Sequence, residues 1–281
     1  MFRASIFMLV VLLAGCAGTP PTSLTSAPLN ASTTDAPTAQ TVQVFTEILA
    51  QNSGKKFGIP RSMPSRIYAK GSAWAVVLDG HHYLVTAAHV VGVGEHPEPA
   101  VFQEVKNGEI VTRTKLDWDN SPRTETAYQV KVGIGDFGTS VKNVGLFSAD
   151  SPLKDVVLLE PTEERVFAEL RSTPLAYKVP QVGDTVQVLG IPDTVAQQLT
   201  SATVAAVFER RGYFVLSSAL PPGYSGGVVL DKEGSALGVV TSTSKSQTTV
   251  ILVNGARLKG AEFKPTRQVF SKNPEAFQDL K

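Results

Sequence analysis

Three side chains in this sequence could together perform acyl transfer. Ser225 lies in Pro221-Pro222-Gly223-Tyr224-Ser225-Gly226-Gly227, a tight turn followed at once by the apolar run Val228, Val229, Leu230. A serine hydroxyl is a weak nucleophile until a base takes its proton and backbone N–H groups face the oxyanion that forms. Glycines on both sides permit the backbone such a turn needs and let a carbonyl approach. Upstream, Tyr83-Leu84-Val85-Thr86-Ala87-Ala88-His89 carries an apolar run through small residues to one histidine. Between them, Leu153-Lys154-Asp155-Val156-Val157-Leu158-Leu159 places one carboxylate before an apolar strand, a position where an unpaired buried charge is costly. Each piece alone has a plainer explanation: a glycine-rich hairpin turn with a solvated serine, a core histidine, an aspartate bonding a loop amide. Base, orienting carboxylate and nucleophile, each beside a β-type run, are together a constellation.

Thr86-Ala87-Ala88-His89 resembles the histidine signature of the trypsin/chymotrypsin-like serine proteases, and the order His, Asp, Ser is that of chymotrypsin. Gly223-Tyr224-Ser225-Gly226-Gly227 resembles their serine signature, and Asp155-Val156-Val157-Leu158 their aspartate strand. Gly71-Ser72-Ala73-Trp74 and the stretch from Val182 to Pro192 look most like bacterial members, including the high-temperature-requirement proteases. The resemblance covers residues 65–243. It implies an all-β, chymotrypsin-like fold of two six-stranded antiparallel barrels with the active-site cleft between them. It also implies a serine endopeptidase acting on a protein or peptide substrate without a cofactor. His89, Asp155 and Ser225 would be catalytic, and the N–H groups of Gly223 and Ser225 the oxyanion hole. Ala219, Thr241 and Thr243 would line the specificity pocket, which favours small or medium apolar side chains because Ala219 is not acidic. Two departures stand out. Tyr224 occupies a position where the animal enzymes carry an Asp, and Val228 replaces a usual Pro. Tyr224 leaves open how the oxyanion loop is held, and with it a second reading: an inactive protease-fold binding module.

The elements around these residues read as strands and turns. Residues 73–78 and 83–86 form a hairpin about Asp79-Gly80. Further strands are expected over 126–134, 156–159, 185–189, 203–208, 213–218, 228–230, 237–241 and 250–253. The His-to-Asp separation is long, so part of 93–125 reads as an inserted loop or hairpin near the cleft. His81 and His82 fall in a turn and read as solvated; no set of residues has metal-ligand spacing.

The first residues are not part of the fold. A basic start and the short apolar run from Ile6 to Leu13 have the form of a signal peptide over residues 1–15. Leu13-Ala14-Gly15-Cys16 closely resembles the bacterial lipobox, and Cys16 is the one cysteine in the 281 residues. That implies lipidation of Cys16, a membrane anchor and a place at the bacterial cell envelope. With Ala17 after it, the location is the outer membrane facing the periplasm if the organism is Gram-negative. A purely structural envelope lipoprotein would need the Ser–His–Asp pattern to be accidental. Residues 16–58 read as a tether rich in Thr, Pro, Ser and Ala, with a short amphipathic helix at 42–51 drawn from Val42, Val44, Phe45, Ile48 and Leu49. The protease domain is expected over 59–262. A tail over 263–281 holds a helix start at Asn273-Pro274. With 26 basic and 25 acidic residues, net charge +1, and no basic stripe, nucleic-acid binding has no electrostatic support.

Overall fold

The computed structural model describes residues 39–56, 59–92, 101–106, 109–114, 123–134, 137–192 and 196–266. Cys16, the signal segment, most of the tether and Asn273-Pro274 lie outside them. The described chain is all-β, with two closed six-stranded antiparallel barrels. The first joins β1 (Thr41–Lys56), β6 (Arg123–Ile134), β7 (Phe137–Leu146), β8 (Val156–Pro161), β3 (His81–Ala87) and β2 (Ile59–Leu78) in that order, and β1 pairs with β2 to close the ring. The second runs β10 (Gln198–Phe208), β11 (Tyr213–Leu216), β14 (Thr248–Leu252), β13 (Ala236–Thr243), β12 (Val228–Leu230) and β9 (Thr185–Gly190). Between them in the chain is a one-turn helix α1 (Arg165–Glu169). A second short helix, α2 (Gly255–Leu258), is capped by the Asn254 side chain, which accepts from the Arg257 N–H at 2.9 Å.

Two features correct the sequence reading. The stretch expected to be a helix at 42–51 is strand β1, paired with both β2 and β6. Its apolar spacing fits a short helical wheel, but Val42, Val44 and Thr46 are buried at every second position while Gln43, Phe45 and Glu47 are half-buried. That is the period of a strand, and β-branched residues suit it. The barrel therefore begins at Thr41, not at residue 59. At the other end, β15 (Glu262–Pro265) pairs with β7, so the domain runs past 262 into the expected tail. Within the long His-to-Asp segment, β4 (Val101–Lys106) and β5 (Glu109–Thr114) form a hairpin that meets β2 through Arg66 and Gln103. His81 and His82 are exposed beside the turn at Asp79 and Gly80, whose φ values are 50° and 82°.

Strand periodicity explains the continuous apolar runs that adjoin the site. On β8, Val157 and Leu159 point into the first barrel, while Val156 and Leu158 point into a layer between the barrels. On β12, Val229 faces the interior of the second barrel, while Val228 and Leu230 join the same intermediate layer. Trp74, Val85, Leu189, Val239 and Ile251 complete it. A strand buried on both faces cannot alternate with polar residues. Burying each such side chain is worth about 1.5–3 kcal/mol, and this layer holds the barrels against one another.

A one-residue bulge at Lys142 shifts β7 against β8 and brings two donors to Glu160. The Asn143 side-chain amide donates to its carboxylate at 2.6 Å, and the Lys142 ammonium pairs with it at 2.8 Å. Burial pushes the Glu160 carboxyl up, but these two bonds outweigh it and leave its pKa below the usual carboxylate value. The stabilisation is present above the unfolded pKa and lost as pH falls through the lower folded one. The pair is largely open to solvent, which screens it, so its contribution is small. Thermal melts of parent and Glu160→Gln should differ near pH 7 and converge as pH falls through the lowered folded pKa; a pH-independent difference would contradict the assignment.

Candidate active site

His89 follows β3 in a 3-10 turn, Ala88–Val91. Ala87 and Ala88 are buried, and their small side chains let the turn seat against the barrel. Gly92 ends it in the left-handed region, φ 76°, with its N–H returned to the His89 carbonyl at 3.1 Å. The β3–β8 ladder pairs Ala87 with Val156, and Asp155 stands just before it. Three contacts then fix the histidine. The Ala88 N–H donates to the Asp155 carbonyl at 3.1 Å. The His89 N–H donates to Asp155 Oδ1 at 3.1 Å. The ring Nδ1 lies 3.1 Å from both carboxylate oxygens. A carboxylate only accepts, so Nδ1 carries a proton, and in the neutral ring the lone pair is on Nε2. Both side chains are about one-fifth exposed, 18% for His89 and 21% for Asp155.

Ser225 comes from the second barrel, half-buried in the turn before β12. Gly223 and Gly226 adopt φ values of 97° and 83°, the left-handed region. A Cβ on Gly226 would sit 2.1 Å from the Ser72 carbonyl oxygen and 2.2 Å from Thr86 Oγ1, so no other residue fits there. The turn is bonded through Gly226 N–H to the Val240 carbonyl at 2.7 Å and Gly227 N–H to the Tyr224 carbonyl at 2.8 Å. The N–H groups of Gly223 and Ser225 donate to no other group among the described residues. Tyr224 is a buried anchor. It is 1% exposed in the core of the second barrel, and its hydroxyl lies 2.9 Å from Thr200 Oγ1. Its ring lies so close to Gly190 that a Cβ there would come within 2.7 Å of it. Val228, in place of the usual Pro, is buried in the layer between the barrels.

His89, Asp155 and Ser225 line one cleft of about 790 Å³. Thr241 and Thr243 line it too, with Ser242. Ala219 does not; it is exposed beyond the end of β11, where the next residue, Leu220, ties its N–H to Thr248 Oγ1 at 3.2 Å. The remaining wall comes from residues that the sequence reading passed over. Thr249 and Ile251 are alternate residues of β14, a signal present in the strand period. Pro152 and Lys154 precede Asp155, and Arg211 and Tyr213 flank Gly212, where a Cβ would meet Pro152 at 2.5 Å. That last approach joins loops far apart in sequence, and nothing local announces it.

Two barrels with a cleft lined from both define a chymotrypsin-like fold. Residues 71–239 match the trypsin-like peptidase domain, more than half of the chain, and the chain belongs to that family. Among solved structures it is similar to the active form of the protease Rv3671c from M. tuberculosis, at 17% identity and a TM-score of 0.46, covering 78% of each chain. It is also similar to a human pathogenic astrovirus serine protease, at 15% identity and a TM-score of 0.43, covering 79% of this chain and 93% of that one. For the serine endoprotease from Yersinia pestis the values are 16% and 0.42, covering 84% and 63%. No curated protein matches the sequence significantly.

The anchoring of Tyr224 sets an expectation for stability. Tyr224→Phe forfeits one hydrogen bond and should cost about 1 kcal/mol. Tyr224→Ala leaves a cavity under the turn and should cost about 3–5 kcal/mol. Urea denaturation of the two variants checks the order, and equal losses would mean the ring is not seated as described.

Proposed function

We propose that the chain is a serine endopeptidase that hydrolyses peptide bonds through an acyl-enzyme. The observation that carries this is the bidentate approach of Asp155 to His89 Nδ1 in the cleft that Ser225 also lines. Ser225 attacks the scissile carbonyl. His89, with its lone pair on Nε2, takes the serine proton and returns it to the leaving amine. Asp155 holds the ring and stabilises the imidazolium. The N–H groups of Gly223 and Ser225 receive the oxyanion; losing one such donor typically costs about 10²–10³ in kcat. Thr241 and Thr243 give the pocket a small, uncharged wall, and Asp155, the one acidic residue among the described residues that line the cleft, is engaged by His89. Both features favour small or medium apolar side chains over Lys or Arg before the cleaved bond.

The Leu13-Ala14-Gly15-Cys16 stretch supports a lipid on Cys16 and hence a place at the bacterial cell envelope, the outer membrane facing the periplasm in a Gram-negative cell. Metabolic labelling with palmitate should mark the parent and not Cys16→Ser; equal labelling would refute the anchor.

The catalytic proposal is tested on the full chain with a fluorophosphonate probe. The parent should label covalently, and Ser225→Ala and His89→Ala should not. Asp155→Asn should slow peptide hydrolysis by about 10³–10⁴, because the amide favours the wrong tautomer of His89. A folded parent that does not label would overturn the peptidase reading in favour of an inactive protease-fold binding module.

A further inference from the structure

The turn that carries Ser225 must hold two N–H groups in one direction before any substrate arrives, and preorganisation of that kind needs fixed partners outside the turn. Tyr224 supplies one anchor, from the second barrel. The other comes from the first barrel, and it is one small side chain.

Ser72 on β2 is fully buried. Each of its polar groups is used, and each reaches a different part of the molecule. Its N–H donates to the Ser225 carbonyl at 2.8 Å. Its hydroxyl donates to the Gly223 carbonyl at 2.8 Å and accepts from the Ile191 N–H, also at 2.8 Å. Its carbonyl accepts from the Thr86 hydroxyl at 2.7 Å. Gly223 is the left-handed residue where the turn reverses. The carbonyls of residues 223 and 225, both drawn toward the first barrel, bracket the peptide whose N–H belongs to Ser225. The two held carbonyls fix the backbone on either side of that peptide, and its own carbonyl, that of Tyr224, accepts from the Gly227 N–H at 2.8 Å, so a flip of its N–H would break that bond. The space around it is equally closed, since a Cβ on Gly71 would come within 2.6 Å of the Ser225 carbonyl oxygen. Thr86, which clamps Ser72 from below, stands three residues before His89 on the same strand and turn.

We infer that Ser72 is a positioning residue for the oxyanion turn: its hydroxyl, fixed to the barrel that carries His89, holds the Gly223 carbonyl and so aims the donors of Gly223 and Ser225. The inference rests on the peptidase reading above. Ser72 touches no reacting atom; it acts through the turn. Only a side chain that donates and accepts within this small space satisfies Gly223 and Ile191 together, and an alanine would leave both unpaired.

The role separates from a structural one in the kinetics. A group that aims the oxyanion donors acts on the tetrahedral species more than on bound substrate, so its loss falls on kcat. In the full chain, Ser72→Ala should lower kcat by about 10–100-fold, the order that a misplaced site costs, with KM within about twofold. Affinity for a peptide aldehyde, which forms a tetrahedral adduct on the serine, should fall in parallel with kcat, while affinity for the product peptide stays level. Ser72→Cys, which keeps a weak donor and acceptor, should lie between the parent and Ser72→Ala, and it reports alone if the alanine variant does not fold. An active parent with kcat and aldehyde affinity unchanged in a folded Ser72 variant, per titrated active site, would overturn this inference alone. So would a loss confined to KM. A parent that neither labels nor hydrolyses would sink the peptidase reading and this inference with it.

Discussion

Everything at the cleft depends on the apolar layer that joins the two barrels. The cleft draws on both barrels: His89 and Asp155 ride on one and Ser225 on the other. Their relative placement is set by Trp74, Val85, Val156 and Leu158 on one side and Leu189, Val228, Leu230 and Val239 on the other. Interiors of this kind are close-packed and resist small displacements. The layer also accounts for the local sequence. The runs that follow Asp155 and Ser225 are apolar without interruption because each is buried on one side in its own barrel and on the other in the shared seam.

That double burial is why the residues that meet in the cleft were legible before the fold. A charged residue abutting a continuous apolar run, and a serine between glycines abutting another, mark points where the chain leaves a buried strand at a fixed place. The turn at Asp79-Gly80 was legible for a related reason, since residues tolerant of positive φ are few. Strand β1 was not. Val42, Val44, Phe45, Ile48 and Leu49 satisfy helical and extended spacing about equally over so short a window. What decides is the ladder to β2 and β6, made by residues distant in sequence. Ser72 was illegible as more than a neighbour of Trp74, because its hydroxyl finds its partners 119 and 151 residues away. Lys154 and Arg211 lay equally out of reach; they share a cleft through the approach of Gly212 to Pro152.

Tyr224 shows how one position can be solved by different physics. A carboxylate before Ser225 would secure the turn by an ion pair, whose strength depends on the partner's charge and on its desolvation. An aromatic ring secures it by volume. Tyr224 fills the core of the second barrel and its hydroxyl meets Thr200, so the turn is held without an ion pair. The matching concession is at Gly190, whose missing side chain makes room for the ring.

The closure of the barrels carries a consequence for survival. Proteolysis needs accessible chain, and strand is the most extended chain a folded protein contains. Within each ring every strand is hydrogen-bonded to a neighbour on both sides, and the free edges lie outside the rings, at β5 and β15. What is open to nicking is those edges and the connecting segments, whose loss of a bond need not open the ring. The closure that frames the cleft also shields the protein's own strands from proteolysis.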